Sequence, residues 1–120
     1  TAEWVGEYSG TASFLLSNGR TGVSEDASLV IQALNTKQIS VAVVVSYTPL
    51  GSTRAADAYA IAQLTSSDPE RIVEEIRTGN MRSQFSLTRT AEGIVADVTT
   101  TRRRYDGEWI MEQRLVIEAK

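Results

Sequence analysis

The sequence of 120 residues contains neither cysteine nor histidine. Disulfide bonds, cysteine nucleophiles, Cys/His zinc sites and a Ser-His-Asp triad are therefore excluded. Its longest apolar stretch, residues 41–45, is far shorter than the roughly 20 residues of a membrane-spanning helix. Neither adjacent acidic pair, Glu25-Asp26 or Glu74-Glu75, comes with further ligands. We therefore expect no enzymatic activity, no cofactor, no metal site and no transmembrane segment.

Positive charge is also scarce, with 12 basic against 15 acidic residues, a net charge of -3 and a pI of about 4.9. A nucleic-acid partner is not expected, because duplex binding needs a basic face. The one basic run, residues 102–104 before Tyr105, would be divided between two faces of a strand. The chain begins at Thr1 without a methionine, so we expect a removed leader and export to a bacterial periplasm or cell surface.

What the sequence does contain is two-residue alternation, which indicates β-strands. The most regular strand runs over residues 39–47, where Ile39, Val41 and Val43 alternate with smaller or polar side chains. Residues 54–65 combine helix-favouring alanines with a two-residue period, and we interpret them as a strand as well. Composition and length predict one β domain spanning residues 1–120.

Three hairpin turns are predicted, each from a two-residue signal. Asn18-Gly19 as a two-residue loop would place Gly6 opposite Ile31, Tyr8 opposite Leu29 and Phe14 opposite Val23. It would also turn Glu25 inward, opposite Ala12. The first two strands therefore share a predicted inner face on which small residues oppose large ones.

The other two hairpin signals lie near the end of the chain. Glu92-Gly93 would pair Leu87 with Val98. Asp106-Gly107 would pair Val98 with Leu115 and Arg104 with Trp109. The shared inner face of these three predicted strands carries the following residues: Phe85, Leu87, Ala96, Val98, Trp109, Met111, Leu115 and Ile117.

One short helix is predicted at about residues 69–78. Asp68 is suited to the N-cap, Pro69 to the first turn and Gly79 to the stop. The predicted fold is therefore mostly β, an antiparallel meander of about seven or eight strands. It closes as a barrel if the helix reverses the chain direction, and otherwise forms an open, strongly curved sheet.

The opening Trp4-x-Gly6-x-Tyr8-x-Gly10, followed by antiparallel strands, resembles the calycin group, which includes the lipocalins. The resemblance implies a lipocalin-like barrel with a small apolar ligand inside it. It also maps the tryptophan that seals the lipocalin barrel onto Trp4, often stacked on an arginine for which Arg114 is the nearest candidate. The predicted register turns Arg114 outward, and the predicted helix lies mid-chain rather than after the last barrel strand, so both depart from the family pattern.

The predicted ligand site combines an inner apolar row with two arginines at one end. An apolar cavity with a few orienting polar groups is typical of ligand sites, and a guanidinium pair suits a carboxylate or phosphate. The same row fits a core filled by its own side chains, and the charges fit a solvated ion pair. The candidate ligand-binding residues are Tyr8, Phe14, Leu29, Val43, Tyr47, Phe85, Arg102, Arg104 and Met111.

Two functions follow from these alternatives. The first is a non-enzymatic binding or carrier domain for a small apolar ligand, such as a fatty-acid-like molecule. The second is a barrel with a packed core that binds another protein, as an interaction, inhibitor or assembly domain. A connected interior cavity would favour the first function, and a filled interior would favour the second.

Overall fold

The computed structural model describes residues 2–120, so Thr1, on which the expectation of a removed leader rests, lies outside the described residues. This part of the chain forms eight strands. They are β1 (Gly6–Leu16), β2 (Thr21–Ala33), β3 (Gln38–Tyr47), β4 (Ala56–Thr65), β5 (Arg71–Thr78), β6 (Met81–Arg89), β7 (Ile94–Arg103) and β8 (Trp109–Ala119).

All neighbouring strands are antiparallel, in the order β4-β3-β2-β1-β8-β7-β6-β5. The sheet curls into a nearly closed, flattened barrel with principal extents of 42, 35 and 19 Å. Its upper rim carries the β1–β2, β3–β4, β5–β6 and β7–β8 loops, and its lower rim carries the other loops and both ends of the described chain. The predicted mostly-β antiparallel meander is confirmed.

The first hairpin turns at the predicted place but with one more residue in its loop. Leu16 pairs with Arg20 across Ser17-Asn18-Gly19, and Gly19 adopts a φ of 83°. A type I turn closed by a left-handed glycine has this form. Phe14 therefore lies opposite Gly22, so the predicted pairing with Val23 is wrong. A side chain at Gly22 would require the Phe14 ring to shift, because a Cβ added there would lie 2.6 Å from the ring.

A bulge in β2 restores the predicted register further along. The pairing shifts between Gly10 and Ala12, after which Tyr8 lies opposite Leu29 and Gly6 opposite Ile31, as predicted. Ser24 stabilises the bulge, since its hydroxyl accepts a bond from the Asp26 amide at 3.0 Å. Ala12 faces Ser24, and Glu25 is exposed, so its predicted inward position is wrong.

The last hairpin repeats this arrangement. Arg104 pairs with Glu108 around a three-residue loop that ends at Gly107, with a φ of 88°. A register shift follows at Thr100/Thr101. Beyond it Val98 lies opposite Leu115, as predicted, whereas Trp109 lies opposite Arg103 rather than Arg104.

The predicted register between β6 and β7 is wrong by two residues. Thr90 pairs with Gly93 around Ala91-Glu92, and Leu87 lies opposite Ala96 instead of Val98. A slip of two residues leaves every side chain on the same face, because side chains alternate with a period of two. Leu87 and Val98 are both fully buried, so the predicted inner face is correct despite the slip.

The predicted helix at residues 69–78 is wrong, because residues 71–78 form strand β5. Asp68 does accept bonds from the amides of Glu70 and Arg71, but these bonds form a turn that leads into a strand. Ile72 packs inward opposite Leu87. A short helix gains little in isolation, whereas this strand pairs along its whole length with β6. The resulting even strand count makes β8 antiparallel to β1 without any reversing helix.

The lower and middle interior is filled by apolar side chains. The largest fully buried residues are Trp4, Phe85, Leu29, Ile31, Ile39, Leu64, Leu87, Leu115, Ile117, Val41, Val43 and Val45. Trp4 precedes β1, and its indole N–H donates to the backbone carbonyl of Asp68 in the β4–β5 loop at 3.0 Å. Trp4 thus joins the start of the chain to the loop that connects the two sheet edges.

Candidate functional site: a cleft at the upper rim

The barrel is open between the two edge strands β4 and β5, which share no ladder in the part of the chain described. Two side chains of other strands form hydrogen bonds with backbone groups of β4. Gln113 of β8 donates to the Tyr59 carbonyl at 2.9 Å, and Glu74 of β5 accepts from the Thr65 amide at 2.9 Å. Backbone groups of alternate β4 residues therefore point away from β3, toward the opening.

A cleft of about 580 Å³ lies between the β4 edge and the inner faces of β6, β7 and β8. Its volume falls within the range of roughly 300–1,000 Å³ that is usual for small-ligand sites. Its walls combine apolar side chains with hydroxyl, amide and carboxylate groups. The lining residues are Leu16, Ser17, Asn18, Tyr47, Asp57, Ala58, Tyr59, Ala60, Ile61, Met81, Ser83, Thr100, Glu112 and Gln113.

The polar wall of the cleft is internally hydrogen-bonded. The hydroxyls of Ser83 and Thr100 lie 3.3 Å apart. Arg102, the predicted anion-binding residue on the inner face, instead forms a close ion pair with Glu112, the residue at the bulge in β8. This pairing neutralises its charge, so Arg102 offers little attraction to an anionic ligand.

Arg104 lies outside the cleft. It is exposed in the β7–β8 loop, and its guanidinium lies 3.6 Å from the Asp106 carboxylate. The Asn18-Gly19 and Asp106-Gly107 turns share the upper rim. Glu25, predicted to face inward, is instead exposed beside the β2 bulge, so Glu25, Arg102 and Arg104 do not form a charged end of the ligand site.

Arg20 is the cation that the sequence interpretation missed. Because Leu16 pairs with Arg20 and Phe14 with Gly22, Arg20 belongs to the inner side of the rim. Its guanidinium carbon lies 5.5 Å from the Tyr47 ring centre and 6.0 Å from that of Phe14. The two rings pack against each other at 5.2 Å. A two-residue loop would have turned Arg20 outward, so the missed signal is the Ser17-Asn18-Gly19 loop length.

The other predicted ligand residues are divided between core and surface. Leu29, Val43 and Phe85 are fully buried in the filled interior, and Tyr8 is half-buried with its hydroxyl donating to the Trp4 carbonyl at 2.9 Å. Tyr47 lines the cleft, and Phe14 packs beside it. Met111 is 38% exposed and pairs with Thr101 on the outer face, so its predicted inward position is wrong.

Trp109, also predicted inward, lies on the outer face. Its ring centre is 4.4 Å from the Arg82 guanidinium carbon and 5.1 Å from that of Arg77. Arg82 donates to the Thr101 hydroxyl at 2.8 Å and lies 3.7 Å from the Glu75 carboxylate. The one-residue bulge at Glu112 accounts for the change, because a shift of one residue exchanges the two faces of a strand.

The lipocalin-like packing of an arginine on the first-strand tryptophan does not form with Arg114. Arg114 faces outward, as predicted, and makes two hydrogen bonds to Asp97, of 3.1 and 2.7 Å. These bonds raise the pKa of the Arg114 guanidinium above its usual value. Trp4 is buried on the inner side, where its indole binds the β4–β5 loop.

Comparisons of the chain with protein-family models, with curated proteins and with solved structures find no match. The structure therefore supports the resemblance to calycins at the level of architecture, without support from a family or a relative. An antiparallel meander of eight strands in a nearly closed barrel fits that group at a coarse level. Within residues 2–120 there is also no helix of the length and hydropathy needed to cross a membrane.

Proposed function

We propose that this protein is a non-enzymatic binding domain that holds a small, elongated, partly apolar ligand in the cleft at the upper rim. The proposal rests on one observation, the difference in packing between the lower and upper parts of the barrel interior. Below the level of Phe85 the interior is filled, whereas above it the space between β4 and β8 is open. Concave volume of this size with mixed lining is the usual form of a ligand site.

The lining favours an amphipathic ligand over a purely apolar one. Leu16, Tyr47 and Met81 offer apolar contact, while Ser83, Thr100 and Gln113 offer hydrogen-bonding groups. Such polar groups fix the orientation of a bound molecule and give specificity. The ligand would therefore occupy the rim of the barrel, not its centre.

Filling the cleft is expected to weaken ligand binding without unfolding the domain. An alkyl probe with a polar end should bind the wild type with a dissociation constant in the micromolar range, which corresponds to about 8 kcal/mol of binding free energy. Ser83→Phe should weaken this binding at least about tenfold. Ser86→Phe is the matched control, since Ser86 lies on the opposite face of β6, paired with Asp97. Native mass spectrometry and displacement of a fluorescent probe measure the binding.

A bound ligand should also raise the melting temperature of the wild type, because binding to the native state stabilises it by mass action. Equal losses of binding in the Ser83 and Ser86 variants would place the probe elsewhere. A saturating probe that neither binds the wild type nor changes its melting temperature would refute the binding function.

The free edge of β4 favours a second function, association of two copies of this chain. Tyr59 and Ile61 are 62% and 66% exposed on a strand that has no partner strand on this side among residues 2–120. The strand contains no lysine, proline or bulge, which are common protections of an edge. Antiparallel pairing centred on Ala60 would place Asp57 of one copy opposite Gln63 of the other, so like charges would not oppose each other.

The dimer hypothesis predicts that Ile61→Lys yields a monomer at concentrations where the wild type is dimeric. Val73→Lys is the control, because Val73 is 54% exposed on the other edge strand and should leave the dimer intact. Sedimentation velocity over a range of concentrations measures the state. A monomeric wild type at all concentrations would rule out this function.

A further inference from the structure

From the position of Arg20 we infer that the ligand of the cleft carries an anionic head group, and that Arg20 binds it at the rim. This inference rests on the proposed binding function and specifies its ligand class. The shared chemistry is an alkyl chain that ends in a carboxylate or a phosphate monoester. Arg20 takes the role that the sequence assigned to Arg102 and Arg104.

The first argument is the charge balance of the inner face. Arg102 is paired with Glu112, and Arg104 lies outside with Asp106. Among residues 2–120, no carboxylate forms an ion pair with Arg20, and the Arg20 side chain makes no hydrogen bond. Its guanidinium instead makes cation–π contacts with the rings of Phe14 and Tyr47. A guanidinium in this state keeps its full set of donors for a carboxylate or phosphate.

The second argument is that Arg20 is held in place before any ligand arrives. It stacks over Tyr47, which itself lines the cleft, and over Phe14, which packs on Gly22. Aromatic faces attract a guanidinium. The stacking limits the freedom of the side chain, so less conformational entropy is lost when it binds an anion.

The third argument is the geometry of the cleft relative to this cation. Tyr47 connects the two, since its ring contacts Arg20 and also forms part of the cleft wall. Among the carboxylates of the lining, Glu112 is paired with Arg102, and Asp57 accepts a bond from the Ser46 hydroxyl at 2.7 Å and forms no ion pair with Arg20. An alkyl chain in the cleft would therefore place its head near Tyr47 and Arg20.

The test compares decanoate, decyl phosphate and decanol, all below their micelle-forming concentrations, by isothermal titration calorimetry. Whichever of the two anions the wild type binds, Arg20→Gln should weaken its binding by about tenfold or more. This is the range expected for a lost charge-assisted hydrogen bond. Binding of decanol should not change. The affinity of Arg20→Lys for this anion should lie between those of the wild type and Arg20→Gln, since lysine keeps the charge but lacks the planar guanidinium. Arg104→Gln is the control and should bind as the wild type does.

The three ligands separate the outcomes. Preference for decanoate or for decyl phosphate identifies the head group, and loss of that preference in Arg20→Gln supports the assignment. If all three bind and Arg20→Gln leaves their affinities unchanged, the anion site is refuted while the binding function stands. If none binds the wild type, both the function and the inference are refuted. Unchanged circular dichroism of the variants confirms that each is folded.

Discussion

Replacing Trp4 by alanine is expected to lower the free energy of unfolding by about 3–5 kcal/mol, the range for truncating a large buried aromatic residue. Trp4 is fully buried, and no other side chain in the described core is larger. The substitution also removes the partner of the Asp68 carbonyl, to which the indole donates at 3.0 Å. Loss of this partly buried hydrogen bond adds to the cost of the cavity. Urea denaturation followed by circular dichroism measures the change.

Trp109→Ala is the matched control for this prediction. Trp109 is half-buried on the outer face and loses two cation–π contacts, with Arg77 and Arg82. Each contact is worth roughly 0.5–1 kcal/mol at an exposed site, so the expected loss is about 1–2 kcal/mol. A loss below about 1 kcal/mol for Trp4→Ala would contradict the role of Trp4 in sealing the lower rim of the barrel. It would also remove the main residue on which the calycin comparison rests.

The second large effect is expected for Gly10→Ala in the centre of the barrel wall. A Cβ at this position would lie 1.8 Å from the Glu118 carbonyl oxygen and 2.8 Å from the Ala119 Cα. Both are backbone atoms of β8, so no rotation of a side chain relieves the overlap. The strands β1 and β8 must move apart, and we expect a loss at or above the usual range of about 1–3 kcal/mol for overpacking.

Gly19→Ala provides the comparison for Gly10. No atom lies within 4 Å of the added methyl group there, but the φ of 83° is unfavourable for alanine. The expected cost is about 1–2 kcal/mol from backbone conformation alone. Amide hydrogen exchange should show faster opening of the β1–β8 ladder in Gly10→Ala and not in Gly19→Ala. Equal stability of Gly10→Ala and the wild type would mean that β1 and β8 are farther apart than the structure shows.

The strands were predictable where alternation was regular and the partner strand was close in the chain. Residues 39–47 and residues 54–65 form β3 and β4 as expected. The pairs Tyr8–Leu29 and Val98–Leu115 are also correct. In both cases the short-range pattern and the burial of one face favour the same register.

The helix prediction failed because local signals near Asp68 and Gly79 fit two structures. An Asp before a proline can cap a helix or form a turn that starts a strand. The structure resolves the choice with a tight hairpin, in which Thr78 pairs with Met81 across Gly79-Asn80, so Gly79 belongs to a β-turn and does not end a helix. Propensity is a weak prior compared with such strand pairing.

The candidate site was less predictable than the fold, and the reason is the loop length. One extra residue in the first hairpin turns Arg20 inward and Glu25 outward, and the bulge in β2 then restores the predicted faces from Ala27 onward. In the last hairpin the same combination moves Trp109 and Met111 to the outer face. Turn signals indicate where a hairpin reverses but not whether two or three residues form its loop.

The sequence by itself determined a β meander, the places where its three hairpins reverse and the apolar faces that form the filled core, because these depend on alternation along single strands. Only the tertiary structure decided that β4 and β5 share no ladder among residues 2–120 and that Arg20 stands beside a cleft. These features depend on bulges and on the curvature that brings β8 against the β4 edge, where Gln113 binds the Tyr59 carbonyl. Such contacts join residues far apart in the chain, and no local pattern specifies them.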